Sequence, residues 1–275
     1  MSTPKISLLL ATRKRPEMLK RSLFSLIDNA TDPSRIEMML GFDDDDQETV
    51  EWAQENILPE LDARGVEYVI MSFERLGYIR LNEYYNELAL NADGDWLLFW
   101  GDDAIMETQG WDDRILDHDG QFHVLRVKTH NEHPLAIFPI VPKEWVELFG
   151  YFSPHSLNDN WISQVAYMAN RLENIEVTVT HDRFDLTGNN NDENFQNRPM
   201  LEGNPADPRD FHHPSWTARR QHDTEKLCLY LKDKGEDISW WENVKIGQQD
   251  PWARLRLNDP NKQMMQFNLP RDLIK

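Results

Sequence analysis

Two adjacent carboxylates follow a run of large apolar residues in the middle of the chain. Residues 96–100 read Trp-Leu-Leu-Phe-Trp, and Gly101, Asp102 and Asp103 come directly after them. A buried strand of this composition places both acidic side chains at its carboxyl end, the edge of an open α/β sheet where ligands bind. Neighbouring carboxylates repel each other unless a cation lies between them, and a hard divalent ion prefers oxygen ligands. The pattern predicts a metal site beside a phosphate of a nucleotide-linked substrate.

Three further polar groups follow predicted strands. The sequence Thr-Arg-Lys-Arg at 12–15 follows the first strand, four aspartates at 43–46 follow the second, and His181 follows a late one. Because the carboxyl ends of parallel strands meet at one edge of a sheet, these groups are expected in one shared pocket. The alternative interpretation is a set of solvated turns and helix N-termini, where Asp is common.

The elements that must position these groups follow from short apolar runs that alternate with amphipathic segments. Such alternation is typical of a parallel α/β sheet. In the first half, the predicted strands cover residues 6–11, 36–42, 66–73 and 96–100, and the predicted helices begin at Pro16 and cover 50–61 and 79–91. In the second half, we expect strands at 124–129, 135–141 and 175–180, helices at 142–149, 159–172 and 215–234, and a long loop at 187–213.

Composition restricts the class of protein. The formal net charge of −19 argues against binding to an extended nucleic-acid backbone or an anionic membrane, which needs a basic surface. With 40% hydrophobic residues in 275, the chain can bury a sizeable core. Cys228 is the single cysteine, and the apolar run near the N-terminus is too short for a signal peptide or a membrane span. We therefore expect a cytoplasmic protein.

Six segments, in order, carry a resemblance to a known family. They are Ser-Leu-Leu-Leu-Ala-Thr-Arg-Lys-Arg-Pro at 7–16, Gly-Phe-Asp-Asp-Asp-Asp at 41–46, Asn-Ala-Asp-Gly-Asp-Trp-Leu-Leu-Phe-Trp-Gly-Asp-Asp at 91–103, Gly-Trp-Asp-Asp at 110–113, Asn-Asp-Asn-Trp at 158–161 and Thr-His-Asp at 180–182. Over residues 5–195 they resemble the family 2-like glycosyltransferases with the GT-A fold. The resemblance implies a Rossmann-like, mixed and mostly parallel sheet flanked by helices. We expect a catalytic domain at 1–213 and a helical C-terminal extension at 214–275, rich in aromatic residues such as Trp240, Trp241 and Trp252.

The resemblance implies a nucleotide-sugar donor, with a UDP-sugar favoured, and a Mn²⁺ or Mg²⁺ ion that stabilises the departing nucleoside diphosphate. Asp103 would be the main ligand of the ion, Asp102 would assist at the ion or the ribose, and His181 would complete the metal site. Gly101 stands where the family often has an acidic residue, so the two carboxylates can share these roles differently here. A hydrogen-bonded histidine at a strand end is the alternative for His181.

The same resemblance assigns donor-binding residues. Thr12 and Arg13 resemble the loop that contacts the nucleotide and its diphosphate, and a guanidinium matches phosphate oxygens well. Asp43 or Asp45 resembles the acidic residue that hydrogen-bonds the nucleotide base. Arg80 lies in a segment similar to the family's stretch before the metal-binding strand, although the family's Arg-Asn pair is interrupted here by one residue.

The resemblance also implies a catalytic base. An inverting transfer needs a carboxylate that accepts the proton of the acceptor hydroxyl. Asp159 stands where the family keeps that carboxylate, with a helix N-cap as the alternative role. Asp112 and Asp113 are the second choice, because they follow the metal-binding region and could line an acceptor site.

Three functions are compatible with these residues. The first is a metal-dependent inverting glycosyltransferase that acts on an unidentified hydroxyl acceptor. The second is a nucleotidyltransferase of similar fold, but that class usually has a glycine-rich loop after the first strand, and residues 12–15 contain no glycine. The third is a non-catalytic module that binds nucleotide-sugars.

Overall fold

The structure is a computed structural model that describes residues 5–130, 133, 135–239 and 241. The strands are β1 (Ile6–Thr12), β2 (Ile36–Asp43), β3 (Glu67–Phe73), β4 (Trp96–Trp100), β5 (Ala104–Met106), β6 (Val124–Thr129), β7 (Ile140–Pro142) and β8 (Leu172–His181). The helices are α1 (Pro16–Asn29), α2 (Gln47–Asn56), α3 (Leu58–Arg64), α4 (Leu81–Asn91), α5 (Trp111–Leu116), α6 (Lys143–Phe149), α7 (Asn158–Met168), α8 (Phe184–Thr187), α9 (Glu193–Gln196) and α10 (Pro214–Asp233).

The described strands form one mixed sheet in the order β3-β2-β1-β4-β7-β6-β8-β5. β1 is parallel to β2 and β4, and β2 is parallel to β3. β7 is antiparallel to β4 and β6, and β5 is antiparallel to β8. This confirms the predicted mixed α/β sheet flanked by helices.

The chain leaves β1 on one side towards β2 and β3 and returns on the other side of β1 as β4. A crevice is expected at such a switch point, beyond the carboxyl ends of β1 and β4.

Helices cover both faces of the central strands, which explains the continuous apolar runs in the sequence. Along β1, the side chains alternate between the two layers. Leu8 and Leu10 pack in the same buried cluster as Leu23 of α1, and Leu9 packs in the other cluster with Leu88 of α4. These two layers fix the direction of β1 and β4, and therefore the position of the loops that follow them.

Two predicted helices have different bounds in the structure. The predicted helix at 50–61 is two helices, α2 and α3, because Pro59 stands in the first turn of α3 and has no backbone N–H to continue α2. The predicted helix at 159–172 ends at Met168. Asn170 has a φ of 53°, which ends the helical path, and the chain from Leu172 onwards joins the sheet as β8.

The sequence analysis did not find β5, and its predicted strand at 135–141 is the short β7. β5 has only three residues, too few for an alternating pattern to be visible. It nevertheless matters for the site, because β5 pairs with the end of β8 so that Ala104 lies opposite His181. The backbone N–H of Asp182 also donates to the carbonyl of Asp103, at 2.7 Å.

The C-terminal helix α10 packs on α7, and its Leu227, Cys228 and Leu231 lie in the same buried cluster as Ile162 and Val165. This confirms the predicted helix at 215–234. Trp240 and Trp252 lie outside the described residues. Within the described part of the chain, none of the helices combines the length and the apolar character needed to span a membrane.

Candidate active site

A cleft opens where the sheet topology expects it, beyond the carboxyl ends of β1 and β4. It is lined by residues from distant parts of the chain, including the segment that follows β8. Seven residues singled out from the sequence line it: Thr12, Arg13, Asp43, Asp102, Asp103, Asp159 and His181. The structure therefore brings together the groups that the sequence places at the ends of separate strands.

The turn after β4 is held by hydrogen bonds from both flanking helices. Tyr85 of α4 donates from its hydroxyl to the carbonyl of Trp100, at 2.8 Å. Ser22 of α1 donates to the carbonyl of Gly101, at 2.9 Å, and accepts from the indole of Trp100, at 2.7 Å. These contacts fix the backbone from which the acidic pair projects. The two aspartates therefore occupy defined positions and are not part of a freely moving surface turn.

Asp102 is buried, and each of its carboxylate oxygens accepts a hydrogen bond. It accepts a hydrogen bond from the hydroxyl of Thr12 at 2.7 Å and one from the guanidinium of Arg15 at 2.8 Å. Arg15 also binds Asp192 through Nε at 2.5 Å and Nη2 at 2.8 Å. Asp192 is the N-cap of α9, so Arg15 connects the end of β4 with the segment after β8. The cation beside Asp102 is therefore a side chain of this protein.

Asp103 faces His181 instead. The Nε2 atom of His181 lies 3.5 Å from the Oδ2 atom of Asp103. Burial works to raise the pKa of Asp103, but the hydrogen bond from His181 and the positive charges of His181, Arg15 and Arg183 together hold the pKa below its usual value. A Cβ atom at Gly101 would lie 2.7 Å from Oδ1 of Asp103. A side chain at position 101 would therefore force the Asp103 carboxylate to turn away. Glycine at this position leaves room for the carboxylate to face His181.

The donor set of Asp103 and His181 fits a small divalent ion. Two ligands at right angles around an octahedral ion such as Mn²⁺ are about 3.0 Å apart, given bond lengths of about 2.1 Å, so a separation of 3.5 Å needs little adjustment. The described residues contain no group of three His, Cys, Asp or Glu side chains arranged to hold an ion. Asp102, the third expected ligand, is held by Thr12 and Arg15. Phosphate oxygens and water would have to complete the coordination.

Arg13 and Asp43 form the opposite corner of the cleft. The carboxylate of Asp43 accepts from Arg13 at 3.0 Å and from the hydroxyl of Tyr84. Burial, together with the hydrogen bond to Asp43, raises the pKa of Tyr84 to about 12, so the phenol remains a donor. Asp45 also pairs with Arg13, at 3.0 Å, but it is exposed and does not line the cleft. Of the two candidates for base recognition, Asp43 is the one that the cleft can use.

Asp159 lies in the first turn of α7, where Leu157 is the N-cap residue. The alternative role for Asp159, a helix N-cap, is therefore not realised. Burial raises the pKa of Asp159, and the nearby charges of Arg198 and His181 only partly oppose this effect. A carboxylate with a raised pKa is a stronger proton acceptor, which is what a general base requires.

Three other predicted residues lie outside the cleft. Arg80 is exposed and pairs with Glu83, at 2.6 Å from its Nε. Asp112 is fully buried, and its carboxylate accepts from the backbone N–H groups of Thr31 at 2.7 Å and Asp32 at 3.0 Å. Asp113 pairs with Arg35 at the surface, at 2.6 Å. The structure gives both carboxylates the role of fastening α5 to the loop after α1.

We expect Asp112→Ala to destabilise the fold without affecting chemistry. The change leaves the two backbone N–H groups without their acceptor, which costs about 1–3 kcal/mol. Thermal unfolding should show a lower Tm, and the kcat of the folded variant should equal that of the parent chain. A large loss of kcat with an unchanged Tm would contradict this structural role and return Asp112 to the list of candidate bases.

Tyr78, Arg183 and Arg198 are among the residues of the cleft that the sequence analysis did not single out. Arg183 pairs with Asp185, through bonds of 2.5 and 2.8 Å. Within the described part of the chain, no ion pair or side-chain hydrogen bond engages the guanidinium of Arg198. In a chain with a net charge of −19, a free guanidinium in a cleft is suited to an anionic ligand. Arg198 falls in the predicted long loop, where no sequence pattern distinguishes it.

Solved structures with a similar fold include a mannosyltransferase and the protein TarS. Over 93% of this chain and 74% of the other, it matches S. aureus TarS 1–349 in complex with UDP-GlcNAc, with 14% identity and a TM-score of 0.57. Over 94% of this chain and 82% of the other, it matches the mannosyltransferase PcManGT from Pyrobaculum calidifontis in complex with GDP-Man and Mn²⁺, with 12% identity and a TM-score of 0.54.

A third match is TarS 1–349 in complex with UDP, over 85% of this chain and 93% of the other, with 15% identity and a TM-score of 0.51. The chain spans 43% of the length of the protein in another crystal structure of S. aureus TarS. No protein-family model and no curated protein matches the chain. At these identities the matches establish the fold, and the chain therefore has the GT-A-like glycosyltransferase fold.

Proposed function

We propose that this protein is a metal-dependent, inverting glycosyltransferase that moves a sugar from a nucleotide-sugar to a hydroxyl acceptor. The proposal rests on the side chains that one cleft brings together. The cleft holds the Asp103–His181 pair, the free guanidinium of Arg198 and the Asp159 carboxylate with its raised pKa. The first three of these residues could bind a diphosphate together with its cation. Asp159 could accept the proton of the acceptor hydroxyl. The fold adds support, since the similar solved structures hold nucleotide-sugars or UDP.

The chemical step follows from these groups. The acceptor oxygen attacks the anomeric carbon, its proton passes to the carboxylate of Asp159, and the bond between the anomeric carbon and the phosphate oxygen breaks. The nucleoside diphosphate leaves with the electron pair of that bond. Because the attack comes from the face opposite the leaving group, the configuration at the anomeric carbon is inverted. Burial of Asp159 favours its neutral form and so favours proton uptake.

The leaving diphosphate needs positive charge. A Mn²⁺ or Mg²⁺ ion, when bound, would act there as a Lewis acid. Asp103 and His181 would hold that ion from the protein side. Arg198 would contact the phosphates directly, because its guanidinium has no carboxylate partner among the described residues. The positive charge of Arg15 balances the negative charge of Asp102, so that Asp102 does not oppose the binding of the diphosphate.

We propose a UDP-sugar as the donor to test first. The carboxylate of Asp43 lies beside Arg13 and offers acceptor atoms, so it suits a base that presents an N–H group, as uracil does. Guanine also presents such a group, and one similar structure holds GDP-Man. A cytosolic location is part of this proposal, supported by the single and buried cysteine.

The deciding experiment measures hydrolysis of UDP- and GDP-sugars with Mn²⁺, with Mg²⁺ and with EDTA. Release of UDP or GDP that EDTA abolishes would support a metal-dependent transferase. Release of pyrophosphate from a nucleoside triphosphate and a sugar phosphate would instead support a nucleotidyltransferase. Binding of the nucleotide-sugar without any turnover, with and without an acceptor, would support a non-catalytic binding module.

Arg198→Ala is expected to weaken diphosphate binding. Removing a charge-assisted contact costs about 1.5–3 kcal/mol, or roughly 10- to 150-fold in the Kd for UDP. Arg198→Lys should restore part of the loss, and titration calorimetry with UDP measures both variants. The matched control is Arg209→Ala, since Arg209 is an exposed arginine of the same segment that pairs with Asp207. If Arg198→Ala binds UDP as well as the control does, Arg198 has no role at the phosphates.

A further inference from the structure

Tyr78 lines the cleft, and its hydroxyl forms no hydrogen bond with any residue that the structure describes. The two other tyrosines that line the cleft differ from it. The hydroxyl of Tyr84 donates to Asp43, and the hydroxyl of Tyr85 donates to the carbonyl of Trp100 at 2.8 Å. A phenol that is partly removed from water usually has a hydrogen-bond partner. A ligand in the cleft is therefore expected to supply the partner that Tyr78 lacks.

The backbone around Tyr78 is held in place from both sides. Gly77 has a φ of 67°, a left-handed conformation that favours glycine, and Tyr78 begins a short 3₁₀ helix after it. The backbone N–H of Gly77 donates to the hydroxyl of Tyr84, at 3.3 Å. On the other side, the hydroxyl of Ser156 donates to the carbonyl of Ile79. Tyr78 is thus fastened between α4 and the segment before α7, and it has a defined position in the wall of the cleft.

The charges around the hydroxyl show which part of the cleft it faces. Although Tyr78 is 36% exposed as a whole residue, burial raises the pKa of its hydroxyl. The positive charges of Arg198 and Arg15 oppose this effect, and the negative charges of Asp103 and Asp102 reinforce it. The phenol therefore keeps its proton at neutral pH and remains a hydrogen-bond donor. It lies among the groups that the proposed function uses for the phosphates and for the ion.

A phosphate oxygen is the acceptor that best suits this hydroxyl. An O–H group forms its strongest hydrogen bonds with ionised oxygens. Of the charged groups that act on the hydroxyl of Tyr78, Arg198 and Asp103 have the largest effects. In the proposed function, Arg198 contacts the phosphates and Asp103 holds the ion beside them. A diphosphate bound in this way would lie between these two residues, within reach of the hydroxyl.

We propose that the hydroxyl of Tyr78 donates a hydrogen bond to the diphosphate of the nucleotide-sugar and stabilises the negative charge that develops there as the sugar is transferred. This inference rests on the proposed function and adds to it a residue that touches the leaving group. The phenol keeps its proton throughout. The bond between the anomeric carbon and the phosphate oxygen breaks, and its electron pair leaves with the diphosphate. Because the hydrogen bond strengthens as this charge develops, Tyr78 is a catalytic residue.

Tyr78→Phe tests the proposal, because it removes the hydroxyl and keeps the ring. With Mg²⁺ present, it should raise the Kd for UDP or GDP, whichever the parent chain binds more tightly, by about 10- to 150-fold, the usual range for a hydrogen bond to a charged group. The Kd for the matching nucleoside, uridine or guanosine, should not change, because the nucleoside has no phosphate. Titration calorimetry measures the diphosphate, and ligand-observed NMR measures the weaker nucleoside.

Turnover gives a second readout. At saturating nucleotide-sugar, kcat for hydrolysis should fall in Tyr78→Phe, by as much as about 10²- to 10³-fold, the usual effect of removing one donor from a developing negative charge. Release of UDP or GDP measures it. A kcat equal to that of the parent chain would overturn the assignment of Tyr78 as a catalytic residue.

Tyr68→Phe is the matched control, since Tyr68 of β3 lies outside the cleft and its hydroxyl interacts with Asp62. It should bind both ligands as the parent chain does. An equal Kd for the diphosphate in Tyr78→Phe and in Tyr68→Phe would overturn the inference and leave the proposed function intact. Equal losses for the diphosphate and the nucleoside in Tyr78→Phe would also overturn it, because they indicate an altered cleft. A parent chain that binds neither UDP nor GDP would instead show that the proposed function is wrong.

Discussion

Asp159→Asn should lower kcat by about 10²- to 10⁴-fold, the usual contribution of a general base, while the Kd for the nucleotide-sugar stays unchanged. Asparagine has nearly the same shape as aspartate but cannot accept the proton of the acceptor hydroxyl. The helix should tolerate the change, because Leu157 and not Asp159 occupies the N-cap position. Steady-state kinetics and titration calorimetry together separate the two effects.

The pH dependence gives a second readout for Asp159. Burial raises its pKa, Arg198 and His181 oppose that effect, and Glu202 reinforces it. The base acts in its ionised form, so kcat/KM should rise as the pH increases through this raised pKa and should fall below it. In Asp159→Asn, this fall of kcat/KM at low pH should disappear. Asp113→Asn is the control, since Asp113 is an exposed carboxylate and was the second candidate base. A full rate in Asp159→Asn, at all pH values, would move the base elsewhere.

Asp103→Asn is expected to abolish turnover and to remove the metal dependence of donor binding. The substitution keeps the size of the side chain but removes the charge that faces His181 and that would hold the ion. In the parent chain, Mn²⁺ should tighten the binding of UDP, and EDTA should reverse this effect. In the variant, UDP should bind equally with Mn²⁺ and with EDTA. Calorimetry measures the binding, and release of UDP from the donor measures turnover.

Asp44→Asn is the control for Asp103→Asn, because it removes one exposed carboxylate from the stretch that follows β2. It should change neither turnover nor the effect of Mn²⁺. Asp103→Asn with normal turnover would show that the ion, if one acts, is held elsewhere. Persistence of a Mn²⁺ effect on UDP binding in that variant would lead to the same conclusion.

The central sheet could be predicted because its strands are buried on both faces. Residues 96–100 form a continuous apolar run for that reason, and the Gly-Asp-Asp sequence that follows could be placed at the carboxyl edge. The polar groups after β1, β2 and β8 were placed by the same argument. Thr12, Asp43 and His181 all line the cleft as a result.

Contacts between distant segments could not be predicted from local pattern. Arg15 binds Asp192, which lies 177 positions further along the chain. No periodicity connects two such residues, so the sequence could not show that Asp102 already has a cation beside it. The pairing of β5 with β8 could not be predicted either, because a strand of three residues has no detectable repeat. The free guanidinium of Arg198 is recognisable only by the absence of a described partner.

The contact between Arg15 and Asp192 has a consequence for engineering. The stretch from Phe184 to Gln196 carries one half of this ion pair, and the loop after β1 carries the other half. A chimera that imports this stretch from another protein of similar fold would leave Arg15 without one of its two carboxylates unless position 192 stays acidic. Exchange of this stretch between proteins of this fold therefore requires either an acidic residue at position 192 or the transfer of both segments together.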